Sequence, residues 1–180
     1  MTTMKFSSLG GFAAHLLTIE ADLELAREVC VEKACRMVEK EAKAAIGTYR
    51  FENWAPLKPE TVARKARGDT PLLETGELRD SVEHVVGREG TEVVGYVGTN
   101  DPIAKYHELG TRTIPPRSFL GEAAMRKEHK IHEMMERTIA ATFDRGGPHC
   151  RELRELFHVL HMAYHEGKKL ADELLDEDEQ

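Results

Sequence analysis

Between Trp54 and Gly121 the chain is punctuated so densely that little of it can form long regular structure. Six of the seven prolines lie from Pro56 to Pro116, and each fixes its own backbone and restricts the residue before it. The punctuation falls into blocks. Trp54-Ala55-Pro56-Leu57 comes first, followed by Leu72-Leu73-Glu74-Thr75-Gly76-Glu77-Leu78 with Ser81 and Val82. Next are Gly95-Tyr96-Val97-Gly98, Tyr106-His107-Glu108-Leu109-Gly110 and Ile114-Pro115-Pro116-Arg117-Ser118-Phe119-Leu120-Gly121. Every block marks a backbone event, and none has the make-up of a catalytic centre.

Helical segments flank this interval. Leu16 to Ile46 reads as one amphipathic helix with Thr18 as N-cap and a stripe through Leu23, Ala26, Cys30, Ala34, Met37 and Glu41. Gly47 stands where its C′ residue belongs. The stripe suits core packing or, being narrow, a strip for subunit contact. Ser118 is the expected cap of a later helix lined by Leu120, Ala124, Ile131, Met135, Ile139 and Phe143 and ended by Gly146-Gly147-Pro148. A last helix, from Arg151 to about Leu175, closes in an acidic tail.

Within the interval, Pro59 suits the first position of a short helix, Pro59 to Ala66. Thr75 is placed to cap another helical turn. Ser81–Val86 and Thr91–Val97 read as strands joined through Gly87-Arg88-Glu89-Gly90. Gly98 to Pro116 reads as a long loop broken by a helical turn at Ile103 to Leu109, and loops of that length are usually functional. Gly76 and Gly110 fall where φ > 0 is expected. Trp54 and Leu57 bracket a turn as an aromatic plug on the core edge. Arg117 is expected at the surface, bonded to a carboxylate or bridging subunits, so that losing it or Tyr106 would harm joining rather than folding.

These elements give an α+β fold: a long N-terminal helix and a central helix packed on a small antiparallel sheet, with a C-terminal helical extension. Residues 1–145 form the main domain and 146–180 the extension. A lone hairpin is marginal, so a further strand is expected from Tyr49–Phe51, the Ile103 region or a neighbouring subunit.

A formal charge of −7 argues against a protein held by nucleic-acid phosphates. The basic run Arg64-Lys65-Ala66-Arg67 reads as a solvated helix face. Three cysteines, Cys30, Cys35 and Cys150, make no disulfide framework and fit a reducing cytoplasm. No signal peptide or membrane span is read.

Chemistry is sought in the nine histidines first. His158, His161 and His165 share one helical face and are candidates for zinc, as more weakly are His129 and His132. The imidazoles are equally suited to the border of an apolar stripe. No His-Glu-x-x-His, no Gly-x-Ser-x-Gly and no phosphate-binding glycine fingerprint occurs. No catalytic residue, cofactor site or enzyme activity is expected.

The order of blocks resembles the phage virion morphogenesis and tail-completion family, through Trp54, Pro56, Leu57, Leu72, Thr75, Gly76, Leu78, Ser81, Ile114, Pro115, Arg117, Phe119 and Leu120. The resemblance implies a structural protein of the neck that assembles as a homo-oligomeric ring, with a hexamer as the candidate number, and helps join head to tail. Its partners would be itself and other neck or tail proteins, first in the host bacterial cytoplasm and then in the virion. Trp54, Leu57, Gly76, Leu78, Tyr106, Gly110, Pro115, Arg117 and Phe119 are then its expected interface and structural residues. A tail terminator capping the tail tube resembles it more remotely. A His-rich metal-dependent protein and a helical adaptor dimerising through Leu16–Ile46 are the competing classes.

Overall fold

The computed structural model describes residues 8–145. Helix α1 (Leu9–Ala45) is followed by two short helices, α2 (Pro59–Arg64) and α3 (Glu77–Ser81). Strands β1 (Glu83–Glu89) and β2 (Glu92–Gly98) form a hairpin, after which come α4 (Pro102–Leu109) and α5 (Leu120–Arg145). The architecture is the expected α+β arrangement of long helices with a small antiparallel sheet. The described residues divide into two compact units, residues 27–135 and residues 8–26 with 136–145. The expected boundary after residue 145 falls at the edge of the described residues, and Cys150, His158, His161 and His165 lie outside them.

In the second of these units, α1 starts earlier than its apolar pattern suggests. Ser8 accepts a hydrogen bond from the Gly11 N–H at 3.1 Å, the geometry of an N-cap three residues ahead. Thr18 lies inside the helix, its hydroxyl donating back to the Ala14 carbonyl. A side chain that can cap is equally able to bond one turn back, and nothing local distinguishes the two. Among the described residues of this unit, Ala26 and Thr142 are buried.

The core sits in the unit of residues 27–135. Ala42, Ala45 and Ile46 from the end of α1 meet Phe51, Trp54, Leu78, Val82, Ala104, Phe119 and Ala123, with Val97 of β2 packed against them. Helix α1 ends where expected, and Gly47 follows at φ 91°. Phe119, just before α5, and Ala123 on it are buried, and Leu120 packs against the same core. Of the expected stripe, Leu120, Ile131 and Ile139 are partly buried, while Ala124 and Met135 are exposed. Lys127, one turn beyond Ala123, reaches Glu41 of α1 at 2.6 Å. Glu41 is buried and also receives Arg50 at 2.6 Å. Burial alone would push its carboxyl pKa up, but the bonds from Lys127 and Arg50 outweigh it and the net direction is down. The stripe of α1 thus ends in a buried charge that its partner helix must meet.

Strand β1 starts two residues later and runs three further than its sequence suggests, β2 keeps its expected length one residue further along, and the loop is shorter. Gly87, Arg88 and Glu89 belong to β1 and pair with Val94, Val93 and Glu92, leaving Gly90-Thr91 as a two-residue turn. Opposite residues share a face, so His84/Val97, Val86/Gly95 and Arg88/Val93 form one side of the hairpin. That side lies on α1. Arg88 pairs with Glu28 at 2.6 Å, and His84 lies between Glu39, in hydrogen-bond contact with Nδ1, and Glu32, 3.2 Å from Nε2. A Cβ on Gly95 would come within 2.3 Å of the Cys35 sulfur and 2.7 Å of Val31 Cγ1. Only glycine lets β2 approach the helix this closely.

The expected third strand is not supplied from within the described residues, where the sheet has two strands. Tyr49–Phe51 is irregular and Ile103 is helical. The long loop is likewise divided. Asp101 caps α4 by accepting from Ile103 N–H at 2.9 Å, and Pro102 takes the first helical position.

Candidate functional site

Four of the five blocks, all but Gly95-Tyr96-Val97-Gly98 of β2, converge on one side of the 27–135 unit, around a groove of about 700 Å³. Its walls include Leu57 from the proline turn, Leu78 from α3, Ile103 and His107 from α4, and Ile114 and Arg117 from the segment before α5. What holds these walls is a set of polar side chains bonded to backbone groups far away in sequence.

Arg117 is the central one. Its backbone N–H donates to the His107 carbonyl at 2.7 Å. Its guanidinium donates to the Ala55 carbonyl from Nη2 at 2.7 Å and from Nε at 3.2 Å. The residue is buried, 5% exposed. The expected surface arginine bonded to a carboxylate is therefore corrected. Pro115-Pro116 stiffens the approach as expected, but it delivers the cation inward, onto the turn made by Trp54-Ala55-Pro56. Trp54 is the expected plug: buried, edge-on to Phe51 at 5.4 Å, with Nε1 donating to the Ser118 carbonyl at 3.3 Å.

The start of α5 is capped from another helix. Glu108 of α4 accepts from the backbone N–H groups of Phe119, Leu120 and Gly121 at 2.8, 3.1 and 2.9 Å. Ser118, the expected cap, donates its own hydroxyl to Glu108 instead. A carboxylate facing the positive end of a 26-residue helix is favourable in charge as well as in hydrogen bonding. Sequence inspection missed Glu108 because a cap is sought one to three residues before the helix, and this one is eleven residues before Phe119.

Gly76 and Gly110 have φ of 105° and 72°. Gly76 opens α3 rather than ending a turn, with the Thr75 hydroxyl accepting from Glu77 N–H. At Gly110 a Cβ would also stand 2.9 Å from the Pro116 nitrogen, so the α4 exit and the proline pair interlock. The basic run does not form a solvated helix face throughout. Lys65 reaches the Leu73 carbonyl and Glu74, and Arg67 the Glu74 carbonyl, so both fasten the Leu72–Glu74 segment.

His107 faces the groove with Nδ1 buried and without a hydrogen-bond partner. Burial, reinforced by the Arg117 charge, pushes its pKa below the ordinary histidine value, so the imidazole is held neutral. Among the described residues no group of three His, Cys, Asp or Glu side chains converges on a common point. His129 and His132 are exposed on α5. No helix among the described residues is long and apolar enough to cross a membrane.

Residues 27–140 match the model of the phage virion morphogenesis family. The chain belongs to that family. No curated protein and no solved structure matches it. The match spans every block that converges on the groove. Membership of the phage virion morphogenesis family makes the chain a phage structural or assembly protein. Within that frame the expected residues divide. Trp54, Leu78, Arg117 and Phe119 are buried, whereas Tyr106 and Pro115 are exposed and Leu57 and Gly110 lie between.

Proposed function

We propose that this chain is a neck or tail-completion subunit that works without catalysis, assembling as a ring that helps join head to tail. The reading rests on one observation: Arg117 and Glu108, the charged residues that join the blocks, are consumed in holding backbone. Arg117 binds a carbonyl, and Glu108 three backbone N–H groups, which leaves a rigid shape rather than a reactive centre. Rigid subunits with outward aromatic side chains are suited to association, since interfaces draw on aromatic residues in well-packed settings. Tyr106, 54% exposed, and Leu109, 70% exposed, are the outward members of the blocks. The ring would form from copies of this chain and contact other neck or tail proteins in the virion.

The test is a phage in which this gene carries an amber codon, grown in a non-suppressing host and viewed by electron microscopy. Separate full heads and finished tails, rescued by supplying the chain, are the expected result. Tails of uncontrolled length would mark a tail terminator instead. Joined infectious particles in the absence of the chain would overturn both.

A further inference from the structure

The face of the hairpin turned away from α1 carries Glu83, Val85, Val94, Tyr96, Glu89 and Glu92. Val85 and Tyr96 are 61% and 60% exposed. The charges on this face are all negative, and Glu89 and Glu92 stand directly opposite each other, an arrangement that costs stability. The cationic side chains of the strands, His84 and Arg88, point to the other face and are engaged there with α1.

Helix α4 presents the complement. Ile103, Tyr106 and Leu109 form an exposed apolar ridge. Lys105 borders it and Arg112 follows just beyond. Both are exposed, and neither makes an ion pair among the described residues. The one acid of α4, Glu108, lies on the opposite side with both oxygens taken up at α5. One unit therefore carries an apolar patch rimmed by uncompensated carboxylates and another flanked by uncompensated cations.

We infer that the outer face of the hairpin of one copy seats on the α4 ridge of the next. This deepens the ring reading and rests on it. Two different patches of one chain in mutual contact make a head-to-tail interface, the kind that closes into rings. The contact covers Val85 and Tyr96 and places cations against Glu83 and Glu92. It also gives the two-stranded sheet the outer layer it lacks among the described residues.

The test uses the full chain and two paired charge reversals, Glu83→Lys with Glu92→Lys on the hairpin and Lys105→Glu with Arg112→Glu at α4. All four side chains are exposed, and circular dichroism confirms folding. By sedimentation velocity the unaltered chain forms an oligomer, and each reversed chain alone associates at least about tenfold more weakly. Mixing the two reversed chains restores assembly, because the altered hairpin now meets the altered helix while the unaltered patches meet each other. An oligomer that both reversed chains still form, or a mixture that stays dissociated, overturns this contact and leaves the ring reading standing. An unaltered chain that stays monomeric at every concentration overturns the ring reading, and this contact with it.

Discussion

The hairpin and the groove are attached to the same core by opposite means. The hairpin lies on α1 through charged side chains at its border, Arg88 with Glu28 and His84 with Glu32 and Glu39, and through one close approach at Gly95. The groove is held by side chains that bond to the main chain, with Arg117 buried against a carbonyl and Glu108 closing a helix end. A side chain bonded to solvent-facing charge can be lost cheaply, since the partner returns to water. One that satisfies a buried backbone group cannot, because the orphaned group has nowhere to go. Four of the five blocks are on the second side, which makes them first of all the framework of the subunit.

The largest effects should therefore come from the groove. Arg117→Ala leaves the Ala55 carbonyl without its donor and a void beside Trp54, and should cost about 3 kcal/mol in urea unfolding. That reverses the sequence-based expectation of a change felt in joining alone. An unchanged unfolding midpoint would return Arg117 to the surface role. Glu108→Ala should cost about 2–3 kcal/mol by removing the acceptor of three helix N–H groups. Restoring Asp at Ser118 in that background tests whether a local cap can substitute.

On the hairpin side, Gly95→Val should cost about 1–3 kcal/mol by pushing β2 off Cys35 and Val31. Thiol labelling of Cys35 should rise with it. Arg88→Ala, which removes a half-exposed ion pair with Glu28, should stay within about 1 kcal/mol. If Arg88→Ala destabilises as much as Arg117→Ala, the contrast between the two regions fails.

The smallest effects are in pH, and they have opposite signs. Bonds to Glu39 and then Glu32 raise the His84 pKa above its ordinary 6.5. Its contribution is full below that value and is lost as pH rises through the raised folded pKa. His107 is depressed by burial, so its contribution is present above 6.5 and is lost as pH falls toward the folded value. His84→Gln should flatten the stability profile on the alkaline side and His107→Phe on the acid side, each by less than about 1 kcal/mol. Matching slopes in the two variants would show that one assignment of charge is wrong.

What was legible in the sequence was backbone punctuation. Pro59 at a helix start, Gly47 at a helix end and positive φ at Gly76 and Gly110 all follow from one residue's own stereochemistry. Trp54 as a core-edge plug was legible for its size. Whatever depended on a partner distant in sequence was not. The pairing of Lys127 on α5 needed Glu41 to be known as its partner, and the true cap needed α4 to be known as the neighbour of α5. Gly87-Arg88-Glu89 looks like a loop until Glu28 supplies a partner for the arginine. How the outward side of the hairpin and α4 is used was not legible either, since exposed apolar residues carry no local signature of their occupant.

The bond from Arg117 to Ala55 joins residues 62 apart, and that from Trp54 to Ser118 residues 64 apart. A growing chain thus exposes Phe51 and Trp54 while the next sixty-odd residues are still being synthesised, and closes over them only when Phe119 arrives. Closure of so long a loop is paid in entropy before any contact returns it. A prematurely terminated subunit ending short of α5 would keep those aromatic rings bare. Such a fragment would aggregate or be degraded rather than compete for a place in the particle, so translation to the start of α5 acts as a check on which chains are admitted to assembly.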